Sequence, residues 1–187
     1  FKSKEHPRGF FGPNVNPETG VEFRGGKGNL YEGGLKIPFL VRWPGVVAAN
    51  TVRDLVFYQP DMMATIADLT NAKAPEDTDG ISIAPTLLGA DGSQKLHEMM
   101  YWEYGNQTAV RYGKWKAIQP GKPKGSKKNQ PWELYDLSRD VSESTSVADS
   151  HPDVLEKMQV FADASHAPVE AGTYYDKSRE RHERDRK

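Results

Sequence analysis

Gly25-Gly26-Lys27-Gly28-Asn29-Leu30-Tyr31-Glu32-Gly33-Gly34 places five glycines and one lysine within ten residues, just ahead of the apolar run Ile37-Pro38-Phe39-Leu40-Val41-Arg42-Trp43. Glycine lets backbone approach a ligand closely and adopt positive φ. A lysine held in such a loop is a compact cation able to face an anionic group. The spacing is not that of a nucleotide loop. A P-loop ending at Gly26-Lys27 needs glycine at Val21 and a hydroxyl at Gly28, and a dinucleotide fingerprint starting at Gly26 needs glycine at Tyr31. On composition alone a glycine-rich turn leading into a strand accounts for the segment equally well.

Working outward, 187 residues suffice for one domain or two small ones. A formal net charge of -1 gives no global bias toward nucleic acid. The absence of cysteine excludes disulfides, cysteine-based zinc sites and thiol catalysis within this chain. No run approaches the roughly 18 apolar residues of a membrane span. The opening Phe1-Lys2-Ser3-Lys4-Glu5-His6-Pro7 has no signal-peptide core and reads as the interior of a longer chain, so a fragment or processed piece is expected.

Residues 1–29 lack periodicity and read as loop. Ile37 to Trp43 reads as a largely buried strand ended by Pro44-Gly45. Gln59-Pro60-Asp61 opens a helix with Met62, Ile66 and Leu69 on one apolar face, and Asn71 closes it. Ile83 to Leu88 is a short helix stopped by Gly89. The character then changes. Glu98–Tyr104, Ala109–Tyr112, Lys114–Ile118 and Trp132–Asp136 are short, aromatic-rich runs separated by turn residues, which predicts an antiparallel meander of three or four strands. Trp115, Ala117 and the Val110 side should face a helix. His151-Pro152-Asp153 opens that last helix, with Val154, Met158 and Phe161 on one face. The expected division is 1–95, 96–170 and a charged tail, 171–187.

Other candidate chemistry is sparse. His6, His97, His151, His166 and His182 show no metal-ligand spacing. Glu76-Asp77-Thr78-Asp79-Gly80 and Asp91-Gly92 miss the calcium-loop template and read as turns. Lys122, Lys124, Lys127 and Lys128 fit either a solvated hairpin loop or a basic loop meeting an acidic polysaccharide.

Taken in order, these segments resemble the sulfatase family. Gly25 to Pro38 resembles its second signature region, continued by Phe39-Leu40-Val41-Arg42-Trp43-Pro44-Gly45. Asp61–Leu69 and Asp79-Gly80-Ile81-Ser82 resemble the helix and linker that follow. Tyr101-Trp102-Glu103, Ala109–Lys116 and Glu133–Leu137 resemble the C-terminal subdomain of the arylsulfatase and N-acetylgalactosamine-6-sulfatase-like group. The resemblance implies an α/β fold (α+β within this chain): the tail of an alkaline-phosphatase-like domain plus a small antiparallel sheet packed by a C-terminal helix. It implies the C-terminal part of a sulfuric ester hydrolase, inactive alone, whose N-terminal remainder is its partner. The substrate would be a sulfated small molecule or glycan, with no nucleic acid and no membrane span, and the parent would be periplasmic or secreted. Calcium and a formylglycine nucleophile would belong to the parent, with no metal ligand in this chain. Ser82-Ile83-Ala84-Pro85-Thr86 begins like the formylglycine motif but has Thr86 where arginine is required. Lys27 takes the place of the sulfate-contacting lysine, the one family residue that carries over; Glu32 is expected to orient the loop rather than to donate a proton. Arg24, His97, Trp102 and Glu103 are candidates for substrate binding, with Trp102 either a stacking platform or a core aromatic. A glycan-binding module and a related phosphoester or phosphonate hydrolase are the rival readings.

Overall fold

The computed structural model describes residues 14–16, 19–123, 125–126 and 128–168. The expected tail, 171–187, lies outside them. The first described elements form a small antiparallel pair, β1 (Asn14–Val15) with β2 (Glu22–Phe23), where a structureless opening was expected. The Asn16 N–H donates to the Val21 carbonyl at 2.8 Å and closes the turn between them. A short helix, α1 (Glu32–Leu35), follows the glycine-rich segment.

Residues 38–98 form one compact unit; the described residues up to Ile37, together with those from Met99 onward, form the other. The compact units therefore do not follow the division at 95/96, because the glycine-rich segment packs with the sheet that comes later in sequence. In the 38–98 unit, α2 spans Asp61–Thr70 and α3 spans Ala84–Leu87. Asn71 ends α2 in the left-handed region at φ 55°, a conformation asparagine tolerates better than most residues.

Two expectations fail in this unit. The Met62, Ile66 and Leu69 stripe is not the buried side of α2: Ile66 is 57% exposed, whereas Asp61, Thr65 and Ala67 are buried. The buried side is polar because it is a hydrogen-bonded seam. Thr65 Oγ1 donates to the Asp61 carbonyl at 2.6 Å and accepts from the Ile83 N–H at 2.9 Å; Asp61 Oδ1 accepts from the Ile81 N–H at 2.8 Å. Ile37 to Trp43 is not a strand. It has no ladder partner among the described residues, and Ile37, Leu40 and Trp43 are 73%, 88% and 41% exposed. An apolar run becomes a strand only when another strand satisfies its backbone.

In the second unit, β3 (Met99–Tyr104), β4 (Gln107–Tyr112), β5 (Trp115–Gln119) and β6 (Glu133–Asp136) form an antiparallel meander in sequence order. The register sets Tyr101 against Val110, Val110 against Ala117, and Ala117 against Leu134. Strand alternation puts these four on one face. There they meet α4 (Pro152–Ser165) through Met158 and Ala162, with Trp115, Val154 and Phe161 partly buried around them. The predicted helix-covered face is thus present. The opposite face carries Trp102, Ala109, Ile118 and Tyr135, and Leu30 and Tyr31 of the glycine-rich segment close over it.

Candidate functional site

The glycine-rich segment is fixed to the sheet from below and turned outward at its tip. Leu30 and Tyr31 bury against Ala109, Ile118 and Tyr135. The Asn29 N–H donates to the Gly26 carbonyl at 3.1 Å, closing a turn with Lys27 and Gly28 at its centre. Gly28 takes φ +92° there, a positive value that glycine adopts without strain. Gly34 answers a different requirement: a Cβ on it would stand 2.1 Å from the Asn29 carbonyl oxygen, so only glycine lets α1 approach the loop. Lys27 is exposed at the tip.

Beneath the tip lies a polar framework. Arg24 Nη1 donates to Tyr135 Oη at 2.6 Å, to the Glu143 carbonyl at 3.1 Å and to Glu133 Oε2 at 3.2 Å, while its guanidinium stands 4.0 Å over the Tyr31 ring. Glu133 Oε2 also accepts from both phenols, Tyr31 at 2.8 Å and Tyr135 at 2.5 Å. Burial, reinforced by Glu133, pushes both phenols well above the usual tyrosine range, so they stay neutral donors.

Deeper still, Lys116 on β5 is 1% exposed. Its Nζ stands 2.9 Å from Glu32 Oε1 and 2.8 Å from Glu143 Oε1. Glu143 Oε2 accepts from the Glu32 N–H at 2.6 Å, which ties α1 directly to this cluster. Burial pushes the Glu143 carboxyl upward, with Lys116 opposing, and burial lowers Arg111, with Glu32 and Glu143 opposing. Glu143 is held at φ 54°, an uncommon conformation for a non-glycine residue that this framework over-determines.

The candidates from sequence thus separate. Lys27 and Arg24 share one segment, Lys27 exposed at the tip and Arg24 committed to the framework. Glu32, expected to orient the loop, pairs with the buried Lys116. Trp102 and Glu103 are adjacent on β3 and face opposite sides. Trp102 packs against the core under the loop, whereas Glu103 lies 3.0 Å from His166 Nδ1 near the end of α4. His97 belongs to the 38–98 unit, where its Nε2 pairs with Asp61 Oδ1 at 2.7 Å and its ring meets Tyr58 edge-on. Of the lysine-rich loop, Lys124 and Lys127 lie outside the described residues, as do His6 and His182. Sequence reasoning missed Lys116, Glu133, Tyr135 and Glu143. The one available signal was Lys116 itself, a charge between Trp115 and Ala117 in a short strand.

Among the described residues no group of three or more His, Asp or Glu stands together as metal ligands, and the chain contains no cysteine. Among the described residues no helix is long and apolar enough to cross a membrane.

A family model described as N-sulphoglucosamine sulphohydrolase, C-terminal, matches residues 25–166. An N-acetylgalactosamine-6-O-sulfatase of Bacteroides thetaiotaomicron is 37% identical over 147 residues, covering 73% of this chain and 28% of its own length. Human arylsulfatase A is 33% identical over 160 residues, covering 73% of this chain and 31% of its own. A solved Bacteroides thetaiotaomicron structure, described with metabolism of multiple glycosaminoglycans, superposes with a TM-score of 0.65 at 34% identity. That match covers 76% of this chain and 31% of the other. The chain therefore spans under a third of the length of these relatives. With the matched region running from the glycine-rich segment to the end of α4, the chain belongs to the sulfatase family and corresponds to the C-terminal portion of its members.

Proposed function

We propose that this chain supplies the C-terminal part of a sulfuric ester hydrolase acting on a sulfated glycan or a smaller sulfate ester, with Lys27 contacting the sulfate group. The observation that carries the reading is the exposed Lys27 at the tip of a turn anchored by buried residues, within the segment where the family match begins. Sulfate-ester cleavage develops negative charge on the departing and non-bridging oxygens. An ammonium already fixed in place stabilises that charge without reorganising. Trp102 shares the loop's face of the sheet and is the candidate for a wall of the substrate pocket. Arg24 and Glu103 are engaged in internal pairs within the loop-bearing unit, and His97 in one within the 38–98 unit. The names of the relatives, an N-acetylgalactosamine-6-O-sulfatase among them, support a sulfated sugar as substrate. The proposal places the parent in the periplasm or outside the cell.

A calcium ion and a formylglycine nucleophile would reside on the N-terminal remainder of the parent, where they would activate and attack the sulfur. The isolated chain is accordingly inactive. The test is an assay of paired aryl sulfate and aryl phosphate esters with the full-length protein and with these 187 residues alone. The expected result is sulfate turnover by the full-length protein, preferred over phosphate, and none by the shorter chain. Preference for phosphate, or turnover by the 187 residues alone, would overturn the proposal.

A further inference from the structure

We infer that Gln107 is a positioning residue for Lys27, an inference that rests on the sulfate-contacting reading of that lysine. Gln107 opens β4 at the β3–β4 hairpin, far from the loop in sequence. Its carboxamide spans the loop just beyond the lysine. Oε1 accepts from the Leu30 N–H at 3.3 Å, and Nε2 donates to the Gly28 carbonyl at 3.2 Å. The partners dictate the orientation of the amide, since a backbone N–H requires an oxygen and a carbonyl requires a donor. Gln107 thus imitates a strand edge and holds both sides of Asn29. Asn29 completes the bracket, with Oδ1 accepting from the Gly26 N–H at 3.4 Å and from the Tyr31 N–H at 3.2 Å. Gly26 and Gly28, the residues on either side of Lys27, are therefore each held by a side-chain amide. The Tyr104 ring, opposite Gln107 in the hairpin register, lies 3.9 Å from where a Cβ on Gly28 would stand and limits the turn from that side.

Leu30 and Tyr31 anchor the base of the loop, but they stand three and four residues from the lysine. Among the described residues, Gln107 is the side chain outside the loop that hydrogen-bonds backbone adjacent to Lys27. Precise placement of a charge-stabilising donor governs its effect on the transition state. Freeing the Gly28 carbonyl lets the turn sample other conformations while leaving the buried base in place.

The test is a double-mutant cycle in the full-length enzyme, read as kcat/KM for an aryl sulfate, with thermal melting in parallel. Gln107→Ala should lower kcat/KM about tenfold in the wild-type background and by less than about twofold in the Lys27→Ala background, because residues acting as a unit are non-additive. Gln107→Glu keeps the acceptor for Leu30 and removes the donor to Gly28. It should lose at least as much activity and be equally non-additive with Lys27→Ala, which keeps the test decisive if the alanine variant folds poorly. Equal fold-losses in both backgrounds, or a fully active Gln107→Glu enzyme, would overturn the inference. Full activity of Lys27→Ala alone would instead remove the reading on which it rests.

Discussion

Lys116 is the residue on which the loop-bearing face depends most. Its ammonium is buried between Glu32 and Glu143, and Glu143 in turn accepts from the backbone of Glu32. Removing one partner of a buried ion pair strands the others, and such losses run to about 3–5 kcal/mol. Lys116→Met should therefore destabilise the protein by an amount in that range, despite similar side-chain volume, and denaturant titration checks it. A loss below about 1 kcal/mol would mean that Glu32 and Glu143 relax or take up protons at little cost. Lys27 stands out in sequence as a candidate because glycines flank it in a segment with a family resemblance, and its role remains a proposal. The Lys116 cluster was not legible, because Glu32, Lys116 and Glu143 meet only through folding and have no local spacing to reveal them.

At the level of elements, the sheet and α4 followed from local pattern. Turn residues fell where strands had to reverse, with Gly113 at φ +54° between β4 and β5. The His151-Pro152-Asp153 start preceded an apolar face that does meet the sheet. Met158 is fully buried at the centre of that contact, whereas Val160 on the same helix is 64% exposed. Met158→Ala should cost about 2–5 kcal/mol by leaving a cavity, and Val160→Ala should stay within about 0.5 kcal/mol. Comparable losses from the two, measured by thermal or denaturant unfolding, would contradict the packing described. Two elements were misread for one physical reason. The Ile37 to Trp43 run and the Met62, Ile66 and Leu69 stripe are apolar, but periodicity records only that a face is apolar, not what covers it. Neither is buried as expected in this structure; the α2 seam instead runs through Asp61 and Thr65, whose polarity disguised it. The β1–β2 pair was missed because two-residue strands are too short to show alternation.

For the molecule as a whole, family membership and site architecture point the same way. The match over residues 25–166 begins at the glycine-rich segment and ends at α4, so it takes in the loop, its framework and the sheet that carries them. Exposed Ile37, Leu40, Val52, Met63 and Ile66 all lie in or beside the 38–98 unit. Such apolar exposure accords with a chain that spans under a third of the length of its relatives. In the proposed enzyme the chemistry is divided: nucleophile and metal come from the remainder, and this portion contributes a fixed cation. The direct test is kcat/KM for an aryl sulfate in the full-length protein carrying Lys27→Ala, beside Lys36→Ala as an exposed lysine a few residues away. The account predicts a loss of about 10²–10³-fold for Lys27→Ala, the usual range for removing one charge-stabilising donor, with Lys36→Ala within about twofold of wild type. A Lys27→Ala enzyme as active as Lys36→Ala would contradict it.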